Sequence, residues 1–365
     1  MRIAQVAPLI ESVPPKCYGG TERIVSYLTE ELVRSGHKVT LFGSGDSMTN
    51  ARLIAPCRRS LRKNERYTDP VARELLLLDH VLEHAREFDV IHFHTGCLHF
   101  AICRSLPVPH VTTLHGRLDT PDLVPVFDRF RDMPMISISD AQRQHLRRAN
   151  WQATIYHGLP PNLFRFHSDP GDYLAFLGRI SPEKRVDRAI EIAKRARKPL
   201  KIAAKVDRAD RRYFKSVVEP LLSDGGVEWI GEISDREKDE FLGNAYALLF
   251  PIDWPEPFGL VMIEAMACGT PIIAYASGSV PEVMEDGVTG FVVKELEEAI
   301  DAVGRVRSLN RAGCREVFDK RFTAGRMASD YVKVYMRLAD QRMRKVERCV
   351  ERSLRTVRSA EATLG

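Results

Sequence analysis

Two glutamates eight residues apart, Glu256 and Glu264, are the residues whose type and spacing point most directly to chemistry. They bracket the segment EPFGLVMIE, which follows the apolar run at residues 247–251. Two prolines hold Glu256 on an extended loop, and residues 258–267 have the composition of a helix that carries Glu264. Carboxylates at these two places could accept hydrogen bonds from the hydroxyl groups of a sugar and of a ribose.

The start of that predicted helix is a candidate phosphate site. Phe258, Gly259 and Leu260 would supply backbone N–H groups that lack intrahelical acceptors, and Gly259 permits the close approach of a ligand. One loop would then hold both ends of a nucleotide sugar. The alternative is that Glu256 caps the helix and Glu264 faces solvent, which is the commoner role of an isolated pair of glutamates.

Arg179 and Lys184, in the segment FLGRISPEKRVDRAIEIA, form a second candidate site at a predicted loop-to-helix junction. Fixed cations stabilise the negative charge that develops on a departing nucleoside diphosphate. Arg can bind two oxygens at once, whereas Lys acts as a point charge. Without further support, two such cations are more often solvated at the surface.

Short apolar runs that alternate with amphipathic stretches must position these residues. The predicted strands are residues 3–7, 39–42, 90–93, 111–114 and 135–138, and then 173–177, 200–204, 227–230, 247–251, 271–274 and 291–293. The alternation predicts an α/β fold with two largely parallel sheets. Ligands of such sheets bind beyond the carboxyl ends of the strands, so two facing sheets would form a binding cleft.

The sequence SDPGD at residues 168–172 interrupts the alternation and predicts a domain junction. We expect an N-terminal Rossmann-like domain over residues 1–167, a second over 168–325, and a helical segment over 326–365. That segment carries an apolar stripe, made of Met343, Val346, Val350, Leu354 and Val357. The stripe is expected to pack back on the protein, and docking on a membrane surface is the alternative because arginines flank it.

The motifs together resemble those of a known family. EPFGLVMIEAMACGTPII is similar to the E-x7-E signature of the retaining GT-B glycosyltransferases of family 4, and GR-x4-K at Arg179 and Lys184 is similar to that family's cation pair. The resemblance implies the GT-B fold, in which two Rossmann-like domains face a central cleft. It also implies a nucleotide-sugar donor bound by the C-terminal half, an acceptor bound by the N-terminal half, and retention of the anomeric configuration.

Two N-terminal segments add to the resemblance. PPKCYGGTER, with Gly19 and Gly20, resembles the family's glycine-rich element that faces the donor, and TLHG, with His115, resembles its histidine loop, which contacts the transferred sugar. The implied catalytic residues are Glu256, His115, Arg179 and Lys184. The implied donor-binding residues are Gly19, Gly20, Arg179, Lys184, Lys205, Phe258, Gly259, Leu260 and Glu264.

Some segments depart from the family's pattern or fit it loosely. HGLPPN at residues 157–162 and AAKVD at 203–207 replace more usual turns, although Lys205 could add a phosphate contact. GEIS at residues 231–234 is expected to lie near the nucleotide base. Ser139 either acts on the donor side or caps the next helix.

Composition excludes several other classes of protein. A net charge of +5 without a dense basic face argues against nucleic acid as a partner, and seven scattered cysteines without a CxxC pair favour the reducing cytoplasm. We expect a cytoplasmic protein, at most peripheral at the inner face of the membrane. His92 and His94 in HFHTGCLH lack the further ligands of a zinc site and are expected to line the cleft on the acceptor side. We expect no cofactor and, since no DxD sequence occurs, a metal-independent reaction.

The sequence therefore predicts transfer of a hexose-type sugar to an acceptor hydroxyl, with a UDP-sugar favoured as donor and a GDP-sugar as the alternative. The acceptor could be a glycan, a lipid-linked sugar or a small metabolite. A nucleotide-sugar epimerase and a non-catalytic nucleotide-sugar-binding protein remain rival functions. A dinucleotide-dependent oxidoreductase is disfavoured because no GxGxxG follows the first strand.

Overall fold

The computed structural model describes residues 1–16, 19–62, 69–223 and 225–364, with the side chains of the last helix described to residue 344 and at 347–348. Over this range the chain forms two separate parallel sheets whose strands alternate with helices. The predicted α/β class and its two Rossmann-like halves are therefore confirmed.

The first sheet has seven strands, all parallel, in the order β3-β2-β1-β4-β5-β6-β7. Its strands are β1 Arg2–Val6, β2 Lys38–Phe42, β3 Arg52–Ile54, β4 Val90–Phe93, β5 His110–Thr113, β6 Pro134–Ser137 and β7 Asn150–Thr154. Its helices are α1 Gly20–Arg34, α2 Pro70–His84, α3 Phe100–Cys103, α4 Leu123–Arg129 and α5 Asp140–Arg143. The edge strands β3 and β7 were not predicted, because they are partly exposed and lack a continuous apolar run.

The second sheet has six parallel strands in the order β10-β9-β8-β11-β12-β13. Its strands are β8 Leu174–Arg179, β9 Leu200–Lys205, β10 Val227–Gly231, β11 Ala247–Phe250, β12 Ile272–Tyr275 and β13 Gly290–Val293. The helices that follow β8 are α6 Val186–Arg195, α7 Arg211–Tyr213, α8 Asp235–Gly243, α9 Leu260–Cys268, α10 Val280–Val283, α11 Leu296–Arg305, α12 Arg311–Arg321 and α13 Ala324–Leu364.

Short helical turns complete both halves. The 3-10 turns are Ala85–Glu87, Gln144–Leu146, Pro182–Lys184, Arg208–Asp210, Glu219–Ser223 and Val306–Ser308, and a π turn spans Phe214–Val218. Each sheet is buried on both faces, since neighbouring residues of one strand enter different apolar clusters. In β11, for example, Leu248 and Leu249 are both buried but belong to different clusters. Such two-sided burial explains why the central strands are continuous apolar runs.

The chain passes between the two halves at two adjacent places. Leu159 forms an isolated parallel bridge with Thr323, and a Cβ at Gly158 would lie 2.3 Å from the Thr323 carbonyl oxygen. After the second passage, α13 returns to the N-terminal half, where Tyr331 and Tyr335 are fully buried. The predicted boundary at residue 168 falls between β7 and β8.

The predicted apolar stripe lies in the outer part of α13. Met343 is 59% exposed, and the other four members of the stripe lie outside the residues whose side chains are described. No helix in the described ranges is both long and apolar enough to cross a bilayer.

Candidate functional site

In both sheets the strand order reverses at the first strand, so that later strands are added on its other side. The chain adds β2 and β3 on one side of β1 and then returns to place β4 on the other side, and β11 lies beside β8 in the same way. Loops that leave neighbouring strands at such a reversal diverge, and the gap between them is where ligands of parallel sheets bind. The loops after β1, β5, β8 and β11 carry most of the predicted site residues.

A cavity of about 710 Å³ lies between these loops and is lined from both halves. An adjoining pocket of about 150 Å³ shares part of that lining. The predicted residues on the larger cavity are Gly19, Gly20, His115, Arg179, Lys184, Glu256, Phe258, Gly259 and Leu260, and Lys205 and Glu264 line the smaller pocket. The fold thus brings all the predicted site residues to one continuous space, whose size suits a small-molecule ligand.

A second cavity of similar volume, about 720 Å³, lies elsewhere, between α13 and residues that precede β1 and β5. It adjoins the amino ends of strands rather than their carboxyl ends, and none of the predicted site residues lines it. We therefore place the functional site in the cavity between the two sheets.

The loop that carries Glu256 is fixed by the loop after β12. Ser277 donates from its hydroxyl to the Trp254 carbonyl at 2.6 Å, and the Ser279 amide donates to the Glu256 carbonyl at 2.9 Å. Gly278, with φ of 57°, passes so close that a Cβ there would lie 2.3 Å from the Glu256 amide nitrogen. These residues were not predicted from the sequence, in which the SGS triplet after a strand was the signal for them.

Lys184 and Glu256 form an ion pair within the cavity. The Lys184 ammonium also lies 4.9 Å from the centre of the Trp254 ring, and the Glu256 side chain is only 10% exposed. Arg185, in the left-handed region at φ of 52°, follows Lys184 and bonds Asp253 at 2.9 Å, which ties the two loops together. Glu256 therefore does not cap the helix that follows it.

Arg179, at the end of β8, lies among carboxylates. It bonds Glu183 and approaches Asp210 at 3.4 Å and Asp207 at 3.7 Å. Burial raises the pKa of Asp210 despite the nearby guanidinium. For Glu183 burial acts in the same direction, but hydrogen bonds and Arg179 outweigh it and lower the pKa. Arg179 is thus a partly neutralised cation at the edge of the cavity.

Helix α9 begins at Leu260, two residues later than predicted, because Gly259 adopts the left-handed conformation at φ of 78° and forms the N-cap. A Cβ at Gly259 would approach the Met262 methyl group to 2.7 Å. Phe258 lies before the helix with its side chain 2% exposed, and its ring packs against His157. The amides of Leu260 and Val261, the first two of α9, have no intrahelical acceptor, and both residues line the cavity.

Glu264 lies just over one turn inside α9, and it is 4% exposed. Its carboxylate accepts from Lys238 of α8 at 2.8 Å, so it does not face solvent. Lys205 forms an ion pair with Asp207 at 3.0 Å on the other side of the same pocket. Glu232 and Ile233 of the GEIS segment also line this pocket.

His115 follows β5 and lines the cavity. Its Nε2 lies 2.8 Å from Nδ1 of His94, its ring stacks on His157 at 5.3 Å between centroids, and burial lowers its pKa to about 3. The expectation that His92 and His94 line the cleft is wrong, because they are 0% and 3% exposed and lie behind His115. His157 was noted only as a departure from the family's turn, and no sequence signal pointed to it, because the preceding strand β7 was not predicted.

One further expectation concerns a serine near the cleft. Ser139 caps α5, because its hydroxyl accepts from the Gln142 amide at 3.0 Å. Glu282 of the C-terminal half accepts from the next amide, that of Asp140, at 2.7 Å and so joins the halves. In the described parts of the chain, no group of three His, Cys, Asp or Glu side chains could hold a metal ion.

Comparison with known families agrees with this geometry. The family model described as "Glycosyl transferases group 1" matches residues 165–315, and the model described as "Glycosyltransferase Family 4" matches residues 18–162. The two matches adjoin and together span most of the chain. This protein belongs to the group 1 and family 4 glycosyltransferases. The predicted family is therefore confirmed, and the chain is identified as a GT-B glycosyltransferase.

Individual relatives are distant. The chain is 26% identical to the α-maltose-1-phosphate synthase of Mycobacterium tuberculosis, over 82% of this chain and 86% of that protein. It superposes on AviGT4, a glycosyltransferase involved in avilamycin A biosynthesis, with a TM-score of 0.71 and 24% identity, over 93% and 98% of the two chains. HepE of Anabaena, solved with UDP and glucose, superposes with a TM-score of 0.68 and 18% identity, over 91% and 98%. The superpositions establish the fold alone.

Proposed function

We propose that this glycosyltransferase moves a hexose-type sugar from a nucleoside diphosphate sugar to an acceptor hydroxyl and retains the anomeric configuration. The observation that carries the proposal is the Lys184–Glu256 ion pair, which lies in the cavity between the two sheets beside the start of α9. A cation, a carboxylate and free helix amides at one place suit a ligand that carries both phosphate and hydroxyl groups.

The donor is proposed to lie along the lining already described. Its diphosphate would contact Arg179, Lys184 and the first amides of α9, while its sugar would lie between Glu256 and His115. Its ribose would enter the smaller pocket, where Glu264 is the buried carboxylate. Lys184 forms an ion pair with Glu256, so a diphosphate would compete for Lys184 and leave Glu256 to accept from sugar hydroxyls.

The transfer itself needs little covalent help from the protein. The bond from the anomeric carbon to the phosphate oxygen breaks, the bond to the acceptor oxygen forms, and the acceptor's proton passes to a phosphate oxygen of the donor. Arg179, Lys184 and the helix amides stabilise the charge that develops on the departing diphosphate. The proposed reaction therefore uses no metal ion and no cofactor.

A UDP-sugar is the favoured donor and a GDP-sugar the alternative. UDP is supported by HepE, whose structure was solved in complex with UDP and glucose. The acceptor is a glycan, a lipid-linked sugar or a small metabolite that offers a hydroxyl group. Its binding surface is expected on the N-terminal side of the cavity.

Thermal unfolding with UDP, GDP and ADP tests the donor site first. A nucleotide present at a hundred times its dissociation constant stabilises the folded state by about 2.7 kcal/mol, which raises the melting temperature measurably. The sugars of the preferred nucleotide are then screened for release of nucleoside diphosphate with formation of a glycoside. If none of the three nucleotides raises the melting temperature or supports turnover, the proposal fails.

The rival functions give different results in the same experiments. An epimerase would change the donor sugar without releasing nucleoside diphosphate, and an oxidoreductase would bind NAD tightly. A non-catalytic binding protein would form no product, so Glu256→Ala would leave its turnover unchanged at zero. We expect instead that this variant binds the nucleotide and loses turnover.

A further inference from the structure

Behind His115, a chain of hydrogen bonds leads away from the cavity into the N-terminal half. Nε2 of His115 lies 2.8 Å from Nδ1 of His94, and Nε2 of His94 lies 2.8 Å from Oε1 of Gln5 on β1. The Gln5 amide nitrogen donates to the hydroxyl of Tyr335 at 3.2 Å. The chain thus connects the lining of the cavity to helix α13.

The hydrogen bonds continue from Tyr335 along a second path. The Tyr335 hydroxyl lies 2.7 Å from Nδ1 of His92, and Nε2 of His92 lies 2.7 Å from the Thr113 hydroxyl. That hydroxyl is 3.0 Å from the hydroxyl of Tyr331. Each group in the chain therefore meets a partner on both sides as far as the last tyrosine.

Because these groups are buried, each hydrogen bond among them must have a defined donor and acceptor. Gln5, His92 and Tyr335 are all 0% exposed and His94 is 3% exposed, so bulk water does not reach them. Buried polar atoms need partners inside the protein, and an unmet donor or acceptor costs about 1–3 kcal/mol. Because each bond needs one donor and one acceptor, the direction of one bond determines the direction of the next.

The histidines in the chain are neutral. Burial lowers the pKa of His92 and His94 well below the ordinary value, and it lowers the pKa of His115 to about 3. A neutral imidazole has one nitrogen that donates and one that accepts. If one nitrogen of such a ring donates a hydrogen bond, the other nitrogen can therefore only accept one.

The Gln5 carbonyl sets the direction at His94. Oε1 of Gln5 can only accept, so Nε2 of His94 carries the hydrogen and Nδ1 of His94 has the lone pair. His115 must then donate from its own Nε2. Nδ1 of His115 is left with a lone pair, and within the described protein this buried atom has no hydrogen-bond partner.

We propose that Gln5 and His94 are positioning residues that hold His115 as the Nε2-protonated tautomer and so fix its ring in the orientation that faces the transferred sugar. The identity of this ligand rests on the function proposed above, whereas the tautomer does not. Nδ1 of His115 is itself buried, so the residue lines the cavity with its other atoms. In the opposite tautomer, Nε2 of His115 and Nδ1 of His94 would face each other as two lone pairs, and the ring would lose the bond that holds it.

Helix α13 takes part through Tyr335, whose hydroxyl accepts from the Gln5 amide nitrogen while the Gln5 carbonyl oxygen faces His94. This contact joins residues 330 positions apart. Helix α13 thereby helps to support His115, a residue of the cavity lining.

Nitrogen NMR of the full-length protein tests the tautomer directly. Protein labelled with 15N-histidine is compared with the His115→Asn variant, which identifies the two ring signals of His115. We expect Nε2 of His115 to give the signal of a protonated nitrogen and Nδ1 that of an unprotonated one. A protonated Nδ1 would mean that the chain of hydrogen bonds runs the other way, and it would overturn the inference.

Variants of the two positioning residues test the consequence. In His94→Leu the acceptor for His115 is lost, and in Gln5→Met the acceptor for His94 is lost; in both we expect His115 to adopt mixed tautomers and kcat to fall about ten-fold. His94→Gln offers one donor and one acceptor and should restore most of kcat. The dissociation constant of the nucleoside diphosphate should stay unchanged in all three, because His115 faces the sugar.

His99→Leu is the matched control. His99 is also 0% exposed, but it bonds Thr112 at 2.8 Å and takes no part in the chain of hydrogen bonds behind His115. We expect it to lose stability without changing the His115 signals or kcat. If His94→Leu and Gln5→Met leave both readouts unchanged, or if folded His94→Gln is as impaired as His94→Leu, the inference is wrong. A protein with the Nε2-protonated tautomer but no transferase activity would refute the proposed function and leave the tautomer assignment intact.

Discussion

Replacement of Gly278 by alanine is the most specific perturbation of the loop that holds Glu256. Gly278 has φ of 57°, and a Cβ built on it would lie 2.3 Å from both the amide nitrogen and the carbonyl oxygen of Glu256. Both of those atoms belong to the backbone, so no side-chain rotation can relieve the contact. The two loops must move apart.

The size of the effect follows from these distances. Ordinary van der Waals contact begins near 3.4 Å, so the Glu256 backbone must shift by about 1 Å. A misplacement of that size can lower the rate of a catalysed reaction about a hundred-fold. The left-handed conformation of an alanine costs a further ~1 kcal/mol of folding free energy, independently of the contact.

Gly287→Ala separates the two effects. Gly287 lies in the same half with φ of 76°, but a Cβ there would meet no atom within 4 Å. We expect Gly287→Ala to lose about 1 kcal/mol of stability and to keep its kcat. Gly278→Ala should lose at least as much stability and, in addition, about a hundred-fold in kcat at saturating donor.

The assays are urea unfolding at a temperature where both variants are folded and the release of nucleoside diphosphate by the same preparations. Equal kcat values for folded Gly278→Ala and Gly287→Ala would refute the reasoning, because they would show that the close approach of Gly278 does not position Glu256.

Three further outcomes are expected. Glu256→Gln should lower kcat, whereas Glu264→Gln should chiefly raise the KM for the donor; steady-state kinetics checks this division, and the reverse pattern would exchange their assigned roles. Lys184→Met should weaken nucleoside diphosphate binding about ten-fold or more in calorimetry, while Lys333→Met, at a 72% exposed lysine, should bind normally; equal affinities would remove Lys184 from the phosphate site. Burial lowers the pKa of His99 to about 3, so the unfolded chain binds the extra proton between pH 6.5 and 3 and stability falls as the pH falls through that window. Urea unfolding should show His99 alone contributing a loss on the order of 2 kcal/mol between pH 7 and 5, and His99→Gln should reduce this slope.

The strands and the start of α9 show how far local sequence predicts this fold. The eleven predicted strands all lie in the two sheets, and the central strands are apolar throughout because both of their faces are covered. The edge strands β3 and β7 escaped prediction because an edge needs less burial. The start of α9 was placed two residues early because the left-handed conformation of Gly259 depends on its neighbours in space, and its helix-forming surroundings gave no hint of it.

At the site, sequence reasoning found residues but missed the partners that fix them. Glu256, Lys184 and His115 follow strands, and the rule that ligands lie beyond carboxyl ends located them. Gly278 and Gln5 were overlooked because a serine-glycine turn and a glutamine within a strand carry no chemistry of their own. Their importance comes only from what they touch.

The sequence by itself determined the α/β class, the family, and the local chemistry of each loop, since strand periodicity, proline and glycine positions and residue types are all local properties. Only the tertiary structure decided that Lys184 meets Glu256, 72 residues away, and that Tyr335 of the last helix supports Gln5 of the first strand. Such pairings depend on the order of strands in a sheet and on the path of α13 across both halves. Strand order and helix path follow from the burial of many side chains together, which no single segment encodes.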